Sequence, residues 1–337
     1  MKYSLIAVLI LFSSVASAHV KWFVNYDTTR APVPFYETFI TVPMLLLLAL
    51  SLGVIYVTSC LDRLWPAPAD LPKWRPLVEK IRNFVPALMR WGTSVFFALL
   101  FFFFPDIILT PDLVIDNPGL IWVHLLIALS APHYKTSFIA GLGILFLYGY
   151  AIQLYGLFHM IDYLIFVGTA VYLIVQSVKN TGLITFALEI VRLTSCFAFM
   201  WGAIEKFMQP ILYEQLLTNH DYLLMGIDMD LYIKAAGFVE FCLTWHILTG
   251  KLASFASLVI LFILVTLAFI PFGMTDFIGH FLLIVPLIAI LSSPREQPVF
   301  ERSATSTLAF MFTFCFFLML SYTSYYLLHY QLHLHLW

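Results

Sequence analysis

Two pairs of histidine and aspartate are spaced so that they could act together on a metal ion. His159 is followed by Asp162, and Asp276 is followed by His280. Separations of three and four residues place both members of a pair on one helix face, where a carboxylate can orient an imidazole for metal binding. Each aspartate could instead cap a helix by accepting backbone N–H groups. Both interpretations remain open from the sequence.

A third histidine, His19, would become the first residue of the chain if a signal peptide were removed. Lys2, the apolar segment 3–12 and the small residues 16–18 have the order of a secretory signal. An uncleaved anchor is the alternative. After cleavage, the free α-amino group loses its proton more readily than a lysine does. It could then chelate a metal together with the imidazole Nδ1 of His19.

One further imidazole would give three nitrogens in a near-planar T, which suits Cu(II). This arrangement resembles the histidine brace of copper monooxygenases. We therefore predict copper at His19, with His159 or His280 completing the site and Asp162 or Asp276 behind it. His333, in the histidine-rich tail, is a further candidate ligand, although such a tail could simply lie at a membrane interface.

The composition indicates the class of protein that must position these groups. The 337 residues are 62% hydrophobic and 11% charged, and the mean hydropathy is +0.94. Soluble proteins carry about 25% charged residues, so a soluble enzyme, a nucleic-acid binder and a disulfide scaffold are excluded. We predict an all-α polytopic membrane protein.

Charge in the loops predicts the number and direction of the spans. The apolar segments are 38–61, 87–104, 118–131, 136–155, 158–178, 183–207, 231–249, 252–271, 276–292 and 305–328. The segment 62–86 is rich in Lys and Arg and should be cytoplasmic, whereas the loops 105–117 and 208–230 are acidic. We expect ten transmembrane helices with both mature termini periplasmic, in a bacterial inner membrane.

Two halves of the chain look like copies of one unit. The pattern FxMxD occurs at Phe158–Asp162 and again at Phe272–Asp276. Two parallel four-helix repeats, 87–178 and 183–292, would then follow the signal peptide 1–18, the periplasmic segment 19–37, the first helix 38–61 and the cytoplasmic loop 62–86. The last helix and its tail form 305–337.

The second repeat resembles the DoxX-like family of four-span membrane proteins. The residues that carry the resemblance are Trp201-Gly202-Ala203-Ile204-Glu205-Lys206-Phe207, Pro210, Ala236-Gly237-Phe238-Val239-Glu240 and Pro271-Phe272-Gly273 leading to Ile278-Gly279-His280. The resemblance implies a four-helix bundle and a link to small subunits of quinol oxidoreductases, with quinone as a further cofactor.

Ionisable residues inside predicted spans are costly and therefore functional candidates. Glu205 and Lys206 are adjacent, about 100° apart on a helix, and should not pair with each other. Glu240 lies midway along its span, either as a catalytic carboxylate or as a structural one. Glu189 and Arg192 should form an internal ion pair.

Together these features predict a copper-binding membrane protein, acting as a redox enzyme on a small or lipid-soluble substrate with Glu205 and Glu240 as catalytic candidates. A copper acquisition or transport protein and a non-catalytic scaffold are the alternatives. The expected partners are the lipid bilayer and a copper ion, with no nucleic acid; a homo-oligomer or a redox partner would be compatible with this function.

Overall fold

The computed structural model describes residues 20–24, 30–66 and 71–335, with side chains up to residue 328. The predicted signal peptide 1–18, the candidate ligand His19 and the side chain of the candidate ligand His333 lie outside this description.

The described chain is all-α, as the sequence predicts. Its helices are α1 (Phe35–Phe39), α2 (Val42–Leu64), α3 (Arg75–Phe103), α4 (Ile121–Ser130), α5 (Ser137–Met160), α6 (Leu164–Gln176), α7 (Thr181–Met208), α8 (Pro210–Thr218), α9 (Met229–Thr249), α10 (Leu252–Leu291) and α11 (Ser303–His335). Short 3-10 helices occupy Val20–Trp22, Pro118–Leu120, Ile161–Tyr163 and Asp221–Leu224. Proline in the first turn of α2, α3 and α8 starts these helices without the loss of an internal hydrogen bond.

Seven described helical stretches are long and apolar enough to cross a membrane, fewer than the ten segments predicted. Two of the seven, Ser137–Gln176 and Leu252–Leu291, are 40 residues long. At 1.5 Å per residue, each could extend about 60 Å, twice the thickness of a hydrocarbon core. A shorter apolar helical stretch, Pro118–Ser130, adds to these seven.

Glycine breaks both long stretches. Gly156 has φ 82° and ψ 158°, and Gly273 has φ 67° and ψ −148°, conformations that residues with a Cβ rarely adopt. Beyond Gly156 the chain reverses: Ser137 Oγ, at the start of α5, donates to the carbonyl of Leu173, near the end of α6, at 2.8 Å. The stretch Ser137–Gln176 is therefore a hairpin of two antiparallel helices.

The chain divides into two compact units. Unit one comprises Met1–Trp65, Phe199–Gly273 and Glu296–Trp337 as far as they are described, and unit two comprises the described parts of Pro66–Ala198 and Met274–Arg295.

Unit one has two polar ends. At the end where α2 begins, the N–H of Val33 donates to the carbonyl of Met208 at 2.9 Å, and the hydroxyl of Tyr322 donates to the carbonyl of Val33 at 2.8 Å. Tyr322 is 19 residues along α11 from Ser303, which corresponds to about 28 Å of helix. That length equals the thickness of a bilayer core.

At the end where α2 finishes, the starts of α10 and α11 come together. Asp62 accepts hydrogen bonds from the backbone N–H groups of Lys251 at 2.7 Å and Ala253 at 2.6 Å, which caps the N-terminus of α10. The N–H of Val299, just before α11, donates to the carbonyl of Thr249 at 2.9 Å. The chain leaves this end at α10 and has returned to it before α11 begins.

In unit two, α3, α4, α5 and α6 pack around a core of large apolar side chains. Pro86 lies inside α3, and its carbonyl accepts a hydrogen bond from Gln176 Nε2 at 2.8 Å. The predicted pair of Glu189 and Arg192 is present at 3.3 Å, and Arg295 binds the other carboxylate oxygen of Glu189 at 2.8 Å. These polar contacts join the end of α6 to α3 and the start of α7 to the segment after α10.

Candidate functional site

The segment directly after the predicted cleavage site is buried in unit one. Val20, Lys21 and Trp22 form a 3-10 helix and are 2%, 5% and 8% exposed. Val20 packs among apolar residues of α8 and α9, including Leu216 and Tyr232. The residues that follow position 19 are therefore fixed in the fold.

Lys21 is held by an ion pair. Its ammonium Nζ lies 2.9 Å from Oε1 of Glu205, and the two side chains are 1% and 5% exposed. Glu205 is in the last turn of α7, so the pair joins the N-terminal segment to a membrane-length helix. A charged lysine can be this deeply buried because its partner is a carboxylate.

A second buried ion pair lies beside the first. Lys206 Nζ pairs with Oε2 of Glu240, and the side chains are 3% and 21% exposed. Lys206 Nζ also lies 5.0 Å from the ring centre of Tyr213, within range of a cation–π contact. Glu205 and Lys206 thus turn to different partners, as their angular separation on the helix predicts. Two positive and two negative charges together give this cluster no formal net charge.

His220 lies close to the N-terminal segment. It follows α8, and its ring contacts the ring of Phe272 edge-on at 5.1 Å between centroids. Phe272 in turn packs on Phe23 at 4.9 Å. His220 Nδ1 lies 3.4 Å from the hydroxyl of Tyr222. An imidazole therefore stands at the same end of unit one as residues 20–24.

In unit two, His159 pairs with a residue that the sequence did not suggest. His159 Nε2 lies 2.6 Å from Oδ2 of Asp112, in the loop between α3 and α4. The Asp112 carboxylate also accepts hydrogen bonds from Tyr163 at 3.0 Å and Thr110 at 2.7 Å. This network attaches the acidic loop to the turn of the α5–α6 hairpin. Asp162, the predicted companion of His159, is 2% exposed.

The other predicted pair, Asp276 and His280, is adjacent in space as well as in sequence. Nδ1 of His280 lies 3.1 Å from both the backbone carbonyl and the carboxylate Oδ2 of Asp276. Both side chains are almost fully buried, at 6% and 1% exposure.

The side chains described, in residues 20–24, 30–66 and 71–328, contain no group of three or more His, Cys, Asp or Glu arranged to hold a metal. The predicted ligands His159, His280, Asp162 and Asp276 are therefore not members of such a group within these residues. His19, the central residue of the predicted copper site, lies outside the described residues.

At the end of unit one where α2 finishes, a small polar pocket is lined by Ser59, Asp62 and His246. Its polar groups have structural roles: Asp62 caps α10, and His246 Nε2 lies 3.1 Å from the Thr58 hydroxyl.

Sequence reasoning missed Lys21 and Asp112 as partners of Glu205 and His159. The contacts join residues 184 and 47 positions apart, so no helical spacing could reveal them. The only signal in the sequence was topological, because each pair was assigned to the same side of the membrane.

Comparison with known proteins gives no relative from which a role could be transferred. The chain matches no family model, and no significant match is found among the curated proteins or the solved structures.

Proposed function

We propose that this chain is a multi-pass inner-membrane protein that binds copper at its periplasmic face through the amine and imidazole of a mature N-terminal His19. The observation that supports this proposal is the burial of Val20–Trp22, with Lys21 paired to Glu205 at 2.9 Å. Consecutive Cα atoms are about 3.8 Å apart, so a buried Val20 restricts where the preceding residue can be. A terminal chelate needs such a fixed attachment.

Bound copper would supply one-electron chemistry for oxidation of a small or lipid-soluble substrate. The chain itself would hold the terminal amine in place and keep Lys21 away from the metal, because Glu205 binds that ammonium. Glu240, at depth in α9, remains the carboxylate best placed to exchange protons with a substrate inside the membrane.

For the third nitrogen ligand, the sequence favoured His159 or His280. His220 is a further candidate, because it belongs to the same unit as residues 20–24 and shares the neighbour Phe272 with Phe23. In contrast, His159 Nε2 already bonds to Asp112 and His280 Nδ1 lies beside Asp276.

We further propose ten spans, with α10 and the α5–α6 stretch each crossing twice and Pro118–Ser130 crossing once. The return of the chain to the same end of unit one between Lys251 and Val299 supports two crossings for α10. The parallel duplication and the likeness to DoxX-like bundles are part of the same proposal. They are supported by the FxMxD pattern and by a glycine turn near each copy of it.

A single inserted residue tests the copper site. Mature protein that carries an extra Ala before His19 keeps every side chain and loses the terminal chelate. We expect the wild type to bind one equivalent of copper with the EPR spectrum of a three-nitrogen Cu(II) site, and the insertion variant to bind at least tenfold more weakly. Unchanged affinity and spectrum would exclude the terminal chelate.

Alanine variants of His159, His220 and His280 then identify the third ligand by the change in nitrogen hyperfine splitting. Copper uptake by cells with and without the protein separates a resident site from a transport function. If the purified mature protein contains no copper, the resident copper site is excluded and the scaffold role is favoured.

A further inference from the structure

Gly202, on α7, is buried and yet has open space where a side chain would be. A Cβ built on this residue meets no atom within 4 Å, whereas the Cβ positions of the buried glycines Gly141, Gly168 and Gly237 are crowded. Helix α9 packs tightly on the next residue, because a Cβ at Gly237 would lie 2.9 Å from the carbonyl oxygen of Ala203. The Cβ direction of Gly202 is therefore open, although the next residue packs closely against α9.

Lys206 connects Gly202 to Glu240 through its ammonium group. The side chain of Lys206 folds back along α7, so that Nζ lies 3.4 Å from the carbonyl oxygen of Gly202. Its ammonium pairs with Oε2 of Glu240. The second carboxylate oxygen, Oε1, makes no hydrogen bond to any residue of the described chain.

Glu240 lies deep along a membrane-length helix. It is 11 residues after Met229, which places it about 16 Å along α9 and near the middle of a bilayer core. Ala235 and Val239, on the adjoining face, are half-buried, and the Glu240 side chain is 21% exposed. The Glu240 carboxylate is therefore partly accessible beside these two residues.

A carboxylate oxygen without a hydrogen-bond donor is costly at this depth. A positive charge does not fit as the missing group, because the ammonium of Lys206 already occupies the other oxygen. A second anion would be repelled by Glu240 and Glu205. A neutral hydroxyl fits, since it donates one hydrogen bond and carries no charge.

We propose that the space beside Gly202 is a binding site for a hydroxyl group that donates to Oε1 of Glu240. The hydroxyl comes either from a water molecule or from the head group of a lipid-soluble alcohol that enters past Val239. Through this hydroxyl, Glu240 gains a neighbour with which it can exchange a proton inside the membrane. The site does not depend on copper or on His19.

Infrared spectroscopy of the protein in lipid nanodiscs tests the site. The carboxylate stretch of Glu240 is identified as the band that Glu240→Gln removes. Gly202→Ala fills the space with a methyl group that meets no existing atom, and we expect the Glu240 band to shift because one hydrogen bond is lost. Gly53→Ala is the matched control, since a Cβ at this exposed α2 glycine also meets nothing within 4 Å; it should leave the band unchanged.

Gly202→Ser places a hydroxyl in the same space, and we expect it to return the band towards its wild-type position. Added 1-octanol distinguishes the two sources, with octane as its control. A band shift with octanol alone in the wild type, absent in Gly202→Ala, identifies the lipid-soluble alcohol. A band that octanol does not move but that shifts in D2O identifies water. If Gly202→Ala leaves the Glu240 band where it is in the wild type, the proposal is wrong.

Discussion

Lys21 and Glu205 form an ion pair at 2.9 Å although 184 residues separate them in the chain, and each side chain is at most 5% exposed. The pair joins the first described segment to the last turn of α7. The desolvation cost of burying two charges is offset only when the two charges pair with each other. The contact therefore specifies where the N-terminal segment lies more than it adds to overall stability.

Replacing Lys21 with Met should lower the free energy of unfolding by about 3 kcal/mol, because it leaves the Glu205 carboxylate buried without a partner. Adding Glu205→Leu to this variant should restore part of the loss, since the unpaired charge is then removed. Equilibrium unfolding in mixed micelles measures both effects. Arg75→Ala is the control: Arg75 and Glu79 form an exposed pair, with side chains 71% and 55% exposed, and its loss should cost at most about 0.5 kcal/mol. If Lys21→Met and the double variant Lys21→Met/Glu205→Leu lose the same free energy of unfolding, the two side chains are not coupled.

The proposed double crossing of α10 predicts a labelling pattern. In a cysteine-free background, single cysteines at Tyr222 and Met274, which are 61% and 55% exposed, should react with a membrane-impermeant maleimide added to intact cells. A cysteine at Lys80 should react only after permeabilisation, because it lies in the basic first turns of α3. If positions 274 and 80 behave alike while 222 differs, α10 does not turn at Gly273 on the outer side.

Sequence patterns predicted the helices well because apolar length and loop charge are local properties. The pair of Glu189 and Arg192 was predicted for the same reason, since three residues on a helix bring them together. The partners of Glu205 and His159 could not be predicted, because tertiary packing alone brings Lys21 and Asp112 to them.

The proposed repeat shows a similar limit to what a sequence pattern can predict. The two FxMxD patterns align Asp162 with Asp276, yet the turn glycines lie six residues before the first and three before the second. The shared pattern therefore indicated the region of each turn but not which residue forms it. Positive φ at Gly156 and Gly273 is a backbone property, and neither glycine carries a signal that distinguishes it from packing glycines such as Gly141.

The Asp112 network in unit two should hold the acidic loop in place. Asp112→Asn keeps the shape of the side chain but loses the charge that strengthens its hydrogen bond to His159, a bond worth about 1.5–3 kcal/mol when one partner is charged. We expect faster amide hydrogen exchange across residues 104–117, measured by mass spectrometry. Asp116→Asn is the control, because Asp116 binds Tyr150 at an exposed position. Equal exchange in the wild type and Asp112→Asn would show that the loop is held by its apolar residues alone.

The turn at Gly156 yields a prediction about backbone strain alone. With φ 82° and ψ 158°, Gly156 occupies a region that is strained for an alanine, and a Cβ there meets no atom within 4 Å. Gly156→Ala should therefore destabilise the α5–α6 hairpin by about 1–3 kcal/mol without any steric clash.

Gly149, on the same helix, is exposed and equally free of neighbours but has helical geometry, so Gly149→Ala should be neutral or stabilising by up to about 1 kcal/mol. The two variants differ only in backbone conformation, and unfolding followed by far-UV circular dichroism compares them directly. If Gly156→Ala is as stable as Gly149→Ala, the reversal does not require a glycine, and the turn is maintained by contacts such as the hydrogen bond from Ser137 to Leu173.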